Sequence, residues 1–388
     1  MDVEEHRLSD RGCFGYPLAR LERETNPDRD ELTEGLHGGE LEWVIAARRK
    51  VPVESLTSFA NTVAPVMPRQ VFDLRREFRR LYLYSPRDPL EVRQAIGKFS
   101  AVSSDSVVVG AGSTELIHLF FQTISPGHVI IPVPTYSEYA SAAKQWDCPT
   151  TLVKLTPDFD LDLEAISEVI THKTRAIVVC NPNNPTGRLY TPAKLLALAR
   201  LADAAGAYLL IDEAYLGFVP DDRSHSMAAQ TRRHRVVVVD SVSKLSGAPS
   251  LRVGWMIGPP AFLRGLSRRR VPGTLSNLSL WLVGPLLAAT AHRHSMQRLI
   301  ARERGYLEKE LSRISGLTVT PSDCNFILVR LSRDGPDSNQ LSDRLGKKGL
   351  VIRAAGNISG LNRRYFRVTV RTHADNVKLV HALRRALT

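Results

Sequence analysis

The sequence has few cysteines and no long apolar run. Its four cysteines (Cys13, Cys148, Cys180 and Cys324) lie far apart, without a Cys-x-x-Cys pair or a neighbouring histidine pattern. This spacing argues against a disulfide framework and a zinc site. No apolar run approaches the ~18 residues that a membrane helix needs, and the polar start "MDVEEHRLSDRGC" is unlike a signal peptide. We therefore expect a soluble, cytoplasmic protein that binds neither a membrane nor a metal.

Aromatic residues are also scarce, at 7%, whereas the net charge is +12. Basic clusters occur at residues 75–80 ("RREFRR"), 231–235 ("TRRHR") and 267–270 ("SRRR"). Nucleic-acid binding could explain such a charge. However, the clusters lie within an α/β pattern that lacks a helix-turn-helix segment and interleaved aromatic residues. We expect no nucleic-acid partner, and we expect part of the charge to face anionic small molecules.

Short apolar strands alternate with amphipathic helices from about residue 95 onward. Examples are "SVVVG" before "STELIHLFFQTI" and "TRAIVVC" before "TPAKLLALARLADAAG", in which Thr191 is the predicted N-cap, Pro192 the first-turn residue and Gly206 the stop. This alternation predicts an α/β fold with a mostly parallel sheet flanked by helices. We expect an N-terminal arm (residues 1–60) that packs with the small domain, a large domain (61–285) and a smaller α+β C-terminal domain (286–388).

The stretch "DSVSKLSGAPSLRVGW" places one lysine, Lys244, between hydroxyl side chains and eight residues before an arginine. It follows "RVVVVD", a β-branched run that is typical of a buried strand. A lysine in a tight loop at the end of such a strand is a candidate nucleophile, and amines of this kind commonly form Schiff bases. The alternative for this stretch alone is an ordinary surface lysine.

Other polar residues follow the predicted strands, where ligands bind in open parallel sheets. Ser113 and Thr114 begin a helix whose free N–H groups suit a phosphate. Tyr136 could stack on a flat cofactor, and Asn184 in "CNPNNPTG" could offer an amide. Asp212 ends a very apolar strand, so its carboxylate needs a cationic partner. A protonated pyridine nitrogen would serve.

These are the parts that hold pyridoxal 5'-phosphate: a phosphate site, an aromatic ring, an aspartate for the ring nitrogen and a lysine for the aldehyde. A nicotinamide-dependent dehydrogenase would explain "VVVGAGS", but Glu115 stands where the third glycine of that fingerprint belongs. That alternative also leaves Lys244 unexplained. A transcription regulator with a pyridoxal domain is a further alternative, but no DNA-binding module precedes the enzyme-like part.

The motifs "NPNNPTG", "DEAY" and "SxSK" resemble, in this order, those of fold-type I pyridoxal-phosphate enzymes of the aspartate aminotransferase superfamily, class I/II. The resemblance implies that Lys244 is the catalytic residue that binds the cofactor covalently. It also implies a homodimer with shared active sites, in which Tyr84 reaches the phosphate of the neighbouring subunit. The implied cofactor-binding residues are Ser113, Thr114, Tyr136, Asn184, Asp212, Tyr215, Ser241, Ser243, Arg252 and Tyr84.

Two subgroups are most similar, histidinol-phosphate aminotransferase and L-threonine-O-3-phosphate decarboxylase, and the second is closer. Its marks are "HGG" at residues 37–39, "FANTVAP", and an arginine fourteen residues before the one that clamps the substrate carboxylate. The implied substrate is an anionic amino acid. The implied substrate-binding residues are Arg367, Arg353, His37 and Asn61.

The substrate shell departs from the decarboxylase pattern, since Thr274 stands where that family has a tryptophan. Decarboxylation is therefore the leading expectation, and transamination of the histidinol-phosphate type stays open. So does a recruited relative that catalyses elimination, replacement or C–C bond formation. Its substrate would be an amino acid such as S-adenosylmethionine, with an anionic co-substrate.

Overall fold

The structure of the protein is a computed structural model that describes residues 38–72 and 83–387. Its strands are β1 (Thr57–Ser58), β2 (Val107–Gly110), β3 (His128–Val133), β4 (Thr150–Lys154), β5 (Thr174–Cys180), β6 (Tyr208–Asp212), β7 (Val236–Ser241), β8 (Gly254–Ile257), β9 (Leu317–Val319), β10 (Phe326–Leu331), β11 (Leu350–Val351), β12 (Arg353–Ala354) and β13 (Tyr365–Thr369). Its α-helices are α1 (Gly38–Arg49), α2 (Leu90–Ser100), α3 (Gly112–Ile124), α4 (Glu138–Gln145), α5 (Leu163–Glu168), α6 (Pro192–Ala204), α7 (Asp222–His225), α8 (Pro260–Ser267), α9 (Asn277–Ala288), α10 (Thr290–Ser312), α11 (Ser338–Gly346) and α12 (His373–Leu387).

The larger sheet has the strand order β2-β8-β7-β6-β5-β3-β4. Strand β8 is antiparallel to both of its neighbours, whereas the strands from β7 to β4 pair in parallel. Successive residues of β5 belong to two separate apolar clusters, Ala176 and Val178 to one, Ile177 and Val179 to the other. Because successive side chains of a strand point to opposite faces, both faces of the sheet are buried. The predicted α/β fold with a mostly parallel sheet is confirmed.

Helix α6 begins and ends where the sequence predicts. Thr191 is the N-cap, and its hydroxyl accepts a 3.2 Å hydrogen bond from the N–H three residues on. Pro192 is the first helical residue, where its missing N–H costs nothing. After the helix, Gly206 has a φ of +67°, in the left-handed region that favours glycine. This turn returns the chain to the sheet at the start of β6.

The smaller sheet lies near the C-terminus and is antiparallel, with the order β12-β13-β10-β9. Helix α10 packs on β9 and β10, and helix α12 packs on α10 and α11. The expected smaller α+β C-terminal part is therefore present. In its register, Arg353 of β12 pairs directly with Arg367 of β13.

The described part of the N-terminal arm, residues 38–60, contacts the C-terminal part. Strand β1 pairs in parallel with β11, and Leu41 and Ile45 of α1 share an apolar cluster with Val351. Helix α9 continues through Pro285, so the predicted boundary after residue 285 falls within a helix. We propose that the boundary between the large and small domains lies at the break between α9 and α10.

Within residues 38–72 and 83–387, no helix is both long and apolar enough to cross a membrane. No group of three or more His, Cys, Asp or Glu side chains in these ranges could hold a metal ion. The three cysteines found there, Cys148, Cys180 and Cys324, are buried free thiols. The expected cytoplasmic location stays a prediction.

Candidate active site

The polar residues singled out in the sequence follow the carboxyl ends of the parallel strands. Asp212 is the last residue of β6, and Lys244 lies three residues beyond the end of β7. Tyr136 follows β3, and Asn184 follows β5. The carboxyl ends of parallel strands meet at one edge of a sheet, so the topology gathers these side chains on the side where ligands bind in open α/β sheets.

Asp212 is a buried carboxylate held by two donors. Its Oδ2 accepts a 2.8 Å hydrogen bond from the hydroxyl of Tyr139, and its Oδ1 accepts a 3.0 Å bond from the N–H of Ala214. Burial raises the pKa of Asp212, and these hydrogen bonds and the charge of Lys244 oppose that rise only in part. A buried carboxylate of this kind is stabilised by a cation bound against it.

Lys244 presents an amine with a low proton affinity. Burial lowers its pKa to about 8, with a further contribution from the positive charges of Arg367 and Arg252, while Asp212 acts in the opposite direction. The amine lies 5.5 Å from the centroid of the Tyr215 ring. A large share of the amine is therefore neutral near pH 8, the form in which a lysine is nucleophilic.

The turn after β5 is fixed by its own side chains. The Asn183 amide donates to the carbonyl of Pro134 at 2.9 Å, and its oxygen accepts a 2.8 Å bond from the Thr135 hydroxyl. This fixed turn directs the next side chain, Asn184, whose amide donates to the Tyr215 hydroxyl at 3.3 Å. The amide and the phenol could therefore both contact an oxygen on a ligand ring.

The opposite end of the site is formed where α3 begins beside β8. A Cβ at Gly254 would lie 2.6 Å from the Ser113 nitrogen, so only glycine lets β8 approach the first turn of α3 this closely. A Cβ at Gly112 would lie 2.5 Å from a terminal nitrogen of Arg252, so this guanidinium rests against the start of the helix. Thr114 bonds the hydroxyl of Tyr136. A guanidinium beside a helix N-terminus suits a phosphate.

Arg367 carries a buried positive charge without a carboxylate partner in the described part of the chain. One terminal nitrogen donates to Asn184 Oδ1 at 2.5 Å and the other to the carbonyl of Ala60 at 2.7 Å. Burial lowers the pKa of Arg367.

Across the β12–β13 pair, Arg353 donates only to neutral oxygens of Ala354 and Asn357. Burial, followed by the charge of Arg367, lowers the pKa of Arg353 to about 10. Two like charges in register repel each other, and an anion between them would relieve that repulsion.

Several groups in this site fit the expected pyridoxal phosphate. Ser243 Oγ and Arg367 Nε are buried and lack a hydrogen-bond partner in the described ranges, and a hydroxyl such as that of Ser243 suits a phosphate oxygen. Ser241, at the end of β7, is paired with Gly254 and so lies in the strand next to the start of α3. Asp212 offers a negative charge to a ring nitrogen, and the Lys244 amine suits an aldehyde. The residues present therefore fit the cofactor.

In the described ranges, the side chains of Tyr84 and Asn61 form no hydrogen bond with the residues of this cluster. The Tyr84 side chain is fully exposed, at 100%, and its expected contact with a neighbouring subunit stays a prediction. The amide of Asn61 donates to Glu42 Oε1, so its substrate role also stays a prediction. His37 lies outside the described residues.

Two residues that form part of the site were not identified from the sequence. Tyr139 bonds Asp212, and its ring contacts that of Tyr136 edge to face at 5.5 Å. Its spacing of three residues from Tyr136 was a usable signal, since the N–H of Tyr139 closes a turn onto the carbonyl of Tyr136 at 3.3 Å. The Thr62 hydroxyl shares a 2.8 Å hydrogen bond with that of Tyr215. No local pattern marked Thr62, because the contact joins residues 153 apart.

The model of the family described as aminotransferase class I and II matches residues 56–383. A histidinol-phosphate aminotransferase from Moorella thermoacetica is 29% identical over 346 residues, 88% of this chain and 88% of that protein. A threonine-phosphate decarboxylase from Salmonella typhimurium is 29% identical over 307 residues, 79% of this chain and 83% of that protein. The crystal structure of histidinol-phosphate aminotransferase from Sinorhizobium meliloti in complex with pyridoxal-5'-phosphate has a TM-score of 0.81 at 19% identity, covering 89% of this chain and 94% of that chain. Since the family model spans most of the sequence, the chain belongs to the aminotransferase class I and II family.

Proposed function

We propose that this protein is a pyridoxal-phosphate-dependent enzyme that acts at the Cα of an amino acid carrying a second anionic group. The observation that carries the proposal is a buried lysine, Lys244, within electrostatic range of both signs of charge. The negative charge of Asp212 raises the pKa of its amine, and the positive charges of Arg367 and Arg252 lower it. A lysine near a ring-nitrogen partner, a carboxylate clamp and a phosphate site matches the needs of this chemistry.

The residues that would hold the cofactor are those at the strand ends. Ser113, Thr114, Ser241, Ser243 and Arg252 would bind its phosphate. Asn184 and Tyr215 would contact its ring hydroxyl, Tyr136 would stack on its ring, Asp212 would bind its nitrogen and Lys244 its aldehyde. When bound, pyridoxal phosphate supplies a ring that accepts electrons from the substrate Cα.

The protein's own side chains would position protons and orient the substrate. Asp212, supported by the Tyr139 hydroxyl, would hold a proton at the ring nitrogen of the bound cofactor. Lys244 can both take and return a proton at Nζ near pH 8, because its pKa lies close to that pH. Arg367 can bind a carboxylate with two parallel hydrogen bonds, since its guanidinium is planar. This orients the substrate relative to Lys244.

The second anionic group is proposed from Arg353. Its guanidinium lies in register with Arg367 and has only neutral hydrogen-bond acceptors. A free amino acid brings one carboxylate, which Arg367 can bind, so a second cation requires a second anion. A phosphate ester satisfies this requirement, and threonine phosphate, which the name of one relative contains, carries both a carboxylate and a phosphate ester.

For the reaction type, we propose decarboxylation of a phosphorylated amino acid such as threonine phosphate, with transamination of a histidinol-phosphate type as the second candidate. The similarity to both relatives at 29% identity supports both candidates. The sequence marks noted above favour the decarboxylase.

The products separate the two reactions. The cofactor-loaded enzyme is incubated with threonine phosphate alone and, separately, with histidinol phosphate and 2-oxoglutarate. Release of CO2 and a phosphorylated amine in the first reaction supports decarboxylation, and formation of glutamate in the second supports the aminotransferase. If neither product forms and an amino acid such as S-adenosylmethionine is consumed instead, both candidates are wrong.

The substrate class is tested with Arg353→Ala. We expect kcat/KM for phosphorylated amino acids to fall. The expected loss of transition-state stabilisation is about 1.5–3 kcal/mol, the range for a hydrogen bond to a charged group. Neutral amino acids of similar size serve as controls and should be little affected. Equal losses for both classes would show that Arg353 does not read a second charge.

We also propose a homodimer in which Tyr84 reaches the cofactor phosphate of the neighbouring subunit. The complete exposure of its side chain in the single chain supports this proposal.

A further inference from the structure

The Tyr215 hydroxyl lies at the end of a chain of hydrogen bonds that starts at Arg367. A terminal nitrogen of Arg367 donates to Asn184 Oδ1 at 2.5 Å, and the amide nitrogen of Asn184 donates to the Tyr215 hydroxyl at 3.3 Å. Because a guanidinium can only donate, its contact with Asn184 fixes which end of the amide faces Tyr215. The Tyr215 oxygen therefore accepts one hydrogen bond from a group whose orientation Arg367 determines.

The second partner of the Tyr215 hydroxyl is Thr62. The two hydroxyl oxygens lie 2.8 Å apart, and both side chains are only 5% exposed. Within residues 38–72 and 83–387, neither hydroxyl has another acceptor at hydrogen-bond distance. The pair brings two protons to one hydrogen bond, so one proton is left over. A buried donor without an acceptor is costly, and an oxygen of a bound ligand would supply that acceptor.

Contacts on both sides of Thr62 in the chain fix its position. The carbonyl of Ala60 accepts a 2.7 Å hydrogen bond from Arg367, and the N–H of Ala64 donates to the carbonyl of Lys244 at 2.8 Å. A Cβ at Gly247 would lie 2.8 Å from the Ala64 carbonyl oxygen, so the segment lies directly against the loop that contains Lys244. Thr62 is therefore held between the candidate carboxylate clamp and the candidate catalytic lysine.

The direction of the bond between Thr62 and Tyr215 decides what Tyr215 offers to a ligand. Burial raises the pKa of Tyr215, and the charge of Arg367 and the bond to Thr62 oppose that rise only in part. Tyr215 is therefore a neutral phenol, with one proton to donate and two positions that accept. Asn184 occupies one accepting position. If Thr62 donates to the other, the Tyr215 proton is available to a ligand, whereas the reverse direction consumes that proton.

We propose that Thr62 is a positioning residue that donates its proton to Tyr215 and so directs the Tyr215 proton to the ring oxygen of the bound cofactor. In this arrangement the protons of Thr62 and Tyr215 both have an acceptor, whereas the reverse direction leaves the Thr62 proton without one in the described ranges. Two donors to the phenol also polarise it, which strengthens the bond that it donates. This role rests on the proposed function, because the ring oxygen belongs to pyridoxal phosphate.

The pH dependence of the visible absorption band of the cofactor-loaded enzyme tests this role. Thr62→Val keeps the shape of the side chain and removes its hydroxyl. A hydrogen bond to the ring oxygen stabilises its negative charge, so weakening that bond should move the midpoint of the spectral change to higher pH, by about half a unit or more. Thr62→Ser keeps a hydroxyl and should retain the wild-type midpoint. If Thr62→Val does not fold, Thr62→Ala provides the same comparison.

Thr231→Val is the matched control. Thr231 is similarly buried, at 4% exposure, donates to the carbonyl of Ala228 at 2.7 Å and precedes the amino end of β7. This substitution should leave the midpoint unchanged. Tyr215→Phe removes the acceptor of the Thr62 proton, so Thr62→Val should shift the midpoint in the wild type but cause no further shift in Tyr215→Phe. Additive shifts would show that Thr62 does not act through Tyr215 and would overturn the proposal.

The remaining outcomes separate this role from the proposed function. If the wild type forms no visible band with pyridoxal phosphate, both are wrong. If the wild-type band forms and its midpoint is the same in Thr62→Val, or if Thr62→Ser shifts the midpoint as far as Thr62→Val does, only the role of Thr62 is wrong.

Discussion

The substitution Tyr139→Phe isolates one hydrogen bond in the site. The Tyr139 side chain is fully buried, and its hydroxyl donates to Asp212 Oδ2 at 2.8 Å. The ring remains after the substitution, so its packing against Tyr136 is kept. Asp212 is then left with the N–H of Ala214 as its other donor in the described structure.

The size of the effect follows from the charge of the acceptor. A hydrogen bond to a charged group contributes about 1.5–3 kcal/mol, and one pKa unit corresponds to about 1.4 kcal/mol. Because the hydroxyl stabilises the charged carboxylate, its loss should raise the pKa of Asp212 further. A more basic Asp212 draws the shared proton away from the ring nitrogen. We therefore expect kcat to fall about tenfold or more.

Steady-state kinetics against pH, with the absorption spectrum of the loaded enzyme, would measure this effect. Tyr208→Phe is the control, since Tyr208 begins the same strand that Asp212 ends and packs against Phe262 at 4.4 Å between centroids. The Tyr208→Phe variant should at most be less stable than the wild type, and its pH profile should be unchanged. If Tyr139→Phe keeps the wild-type kcat and pH profile, or if both variants lose kcat equally, the Tyr139–Asp212 bond does not tune the site.

Three further outcomes are expected. Lys244→Ala should remove the visible absorption band of the bound cofactor and all turnover, while circular dichroism stays unchanged; a retained band would refute the assignment. Reloading of cofactor-free protein should accelerate as pH rises and level off above about pH 8, because the pKa of Lys244 is lowered to about 8 and its neutral form reacts; acceleration that continues to about pH 10 would contradict this. Mixing Lys244→Ala subunits with Tyr84→Ala subunits should restore activity by building one intact shared site, whereas activity no greater than the sum would argue against shared sites.

The positions of the candidate site residues were largely predictable because they depend on local patterns. An apolar run followed by a polar residue marks both a buried strand and its end, which located Asp212 and Lys244. Helix signals at Thr191 and Gly206 fixed the connection between β5 and β6. Parallel strands then bring their carboxyl ends together whatever the details of the loops.

Features that depend on long-range contacts were not predictable in this way. The apolar run of β8 does not reveal that the strand is antiparallel to β2 and β7, since periodicity carries no direction. Thr62 meets Tyr215 only because the segment that follows β1 passes over the site, where the N–H of Ala64 donates to the carbonyl of Lys244 at 2.8 Å. Such contacts are set by tertiary packing.

The site illustrates how function opposes stability in this fold. Asp212, Lys244 and Arg367 are ionisable groups whose burial shifts each pKa towards the neutral form. A protein selected for stability alone would replace such groups with apolar residues or pair them directly. Here the hydrogen bonds from Tyr139 and to Asn184 hold Asp212 and Arg367 in place without neutralising them. Their charges therefore remain available to a ligand that is complementary to all three.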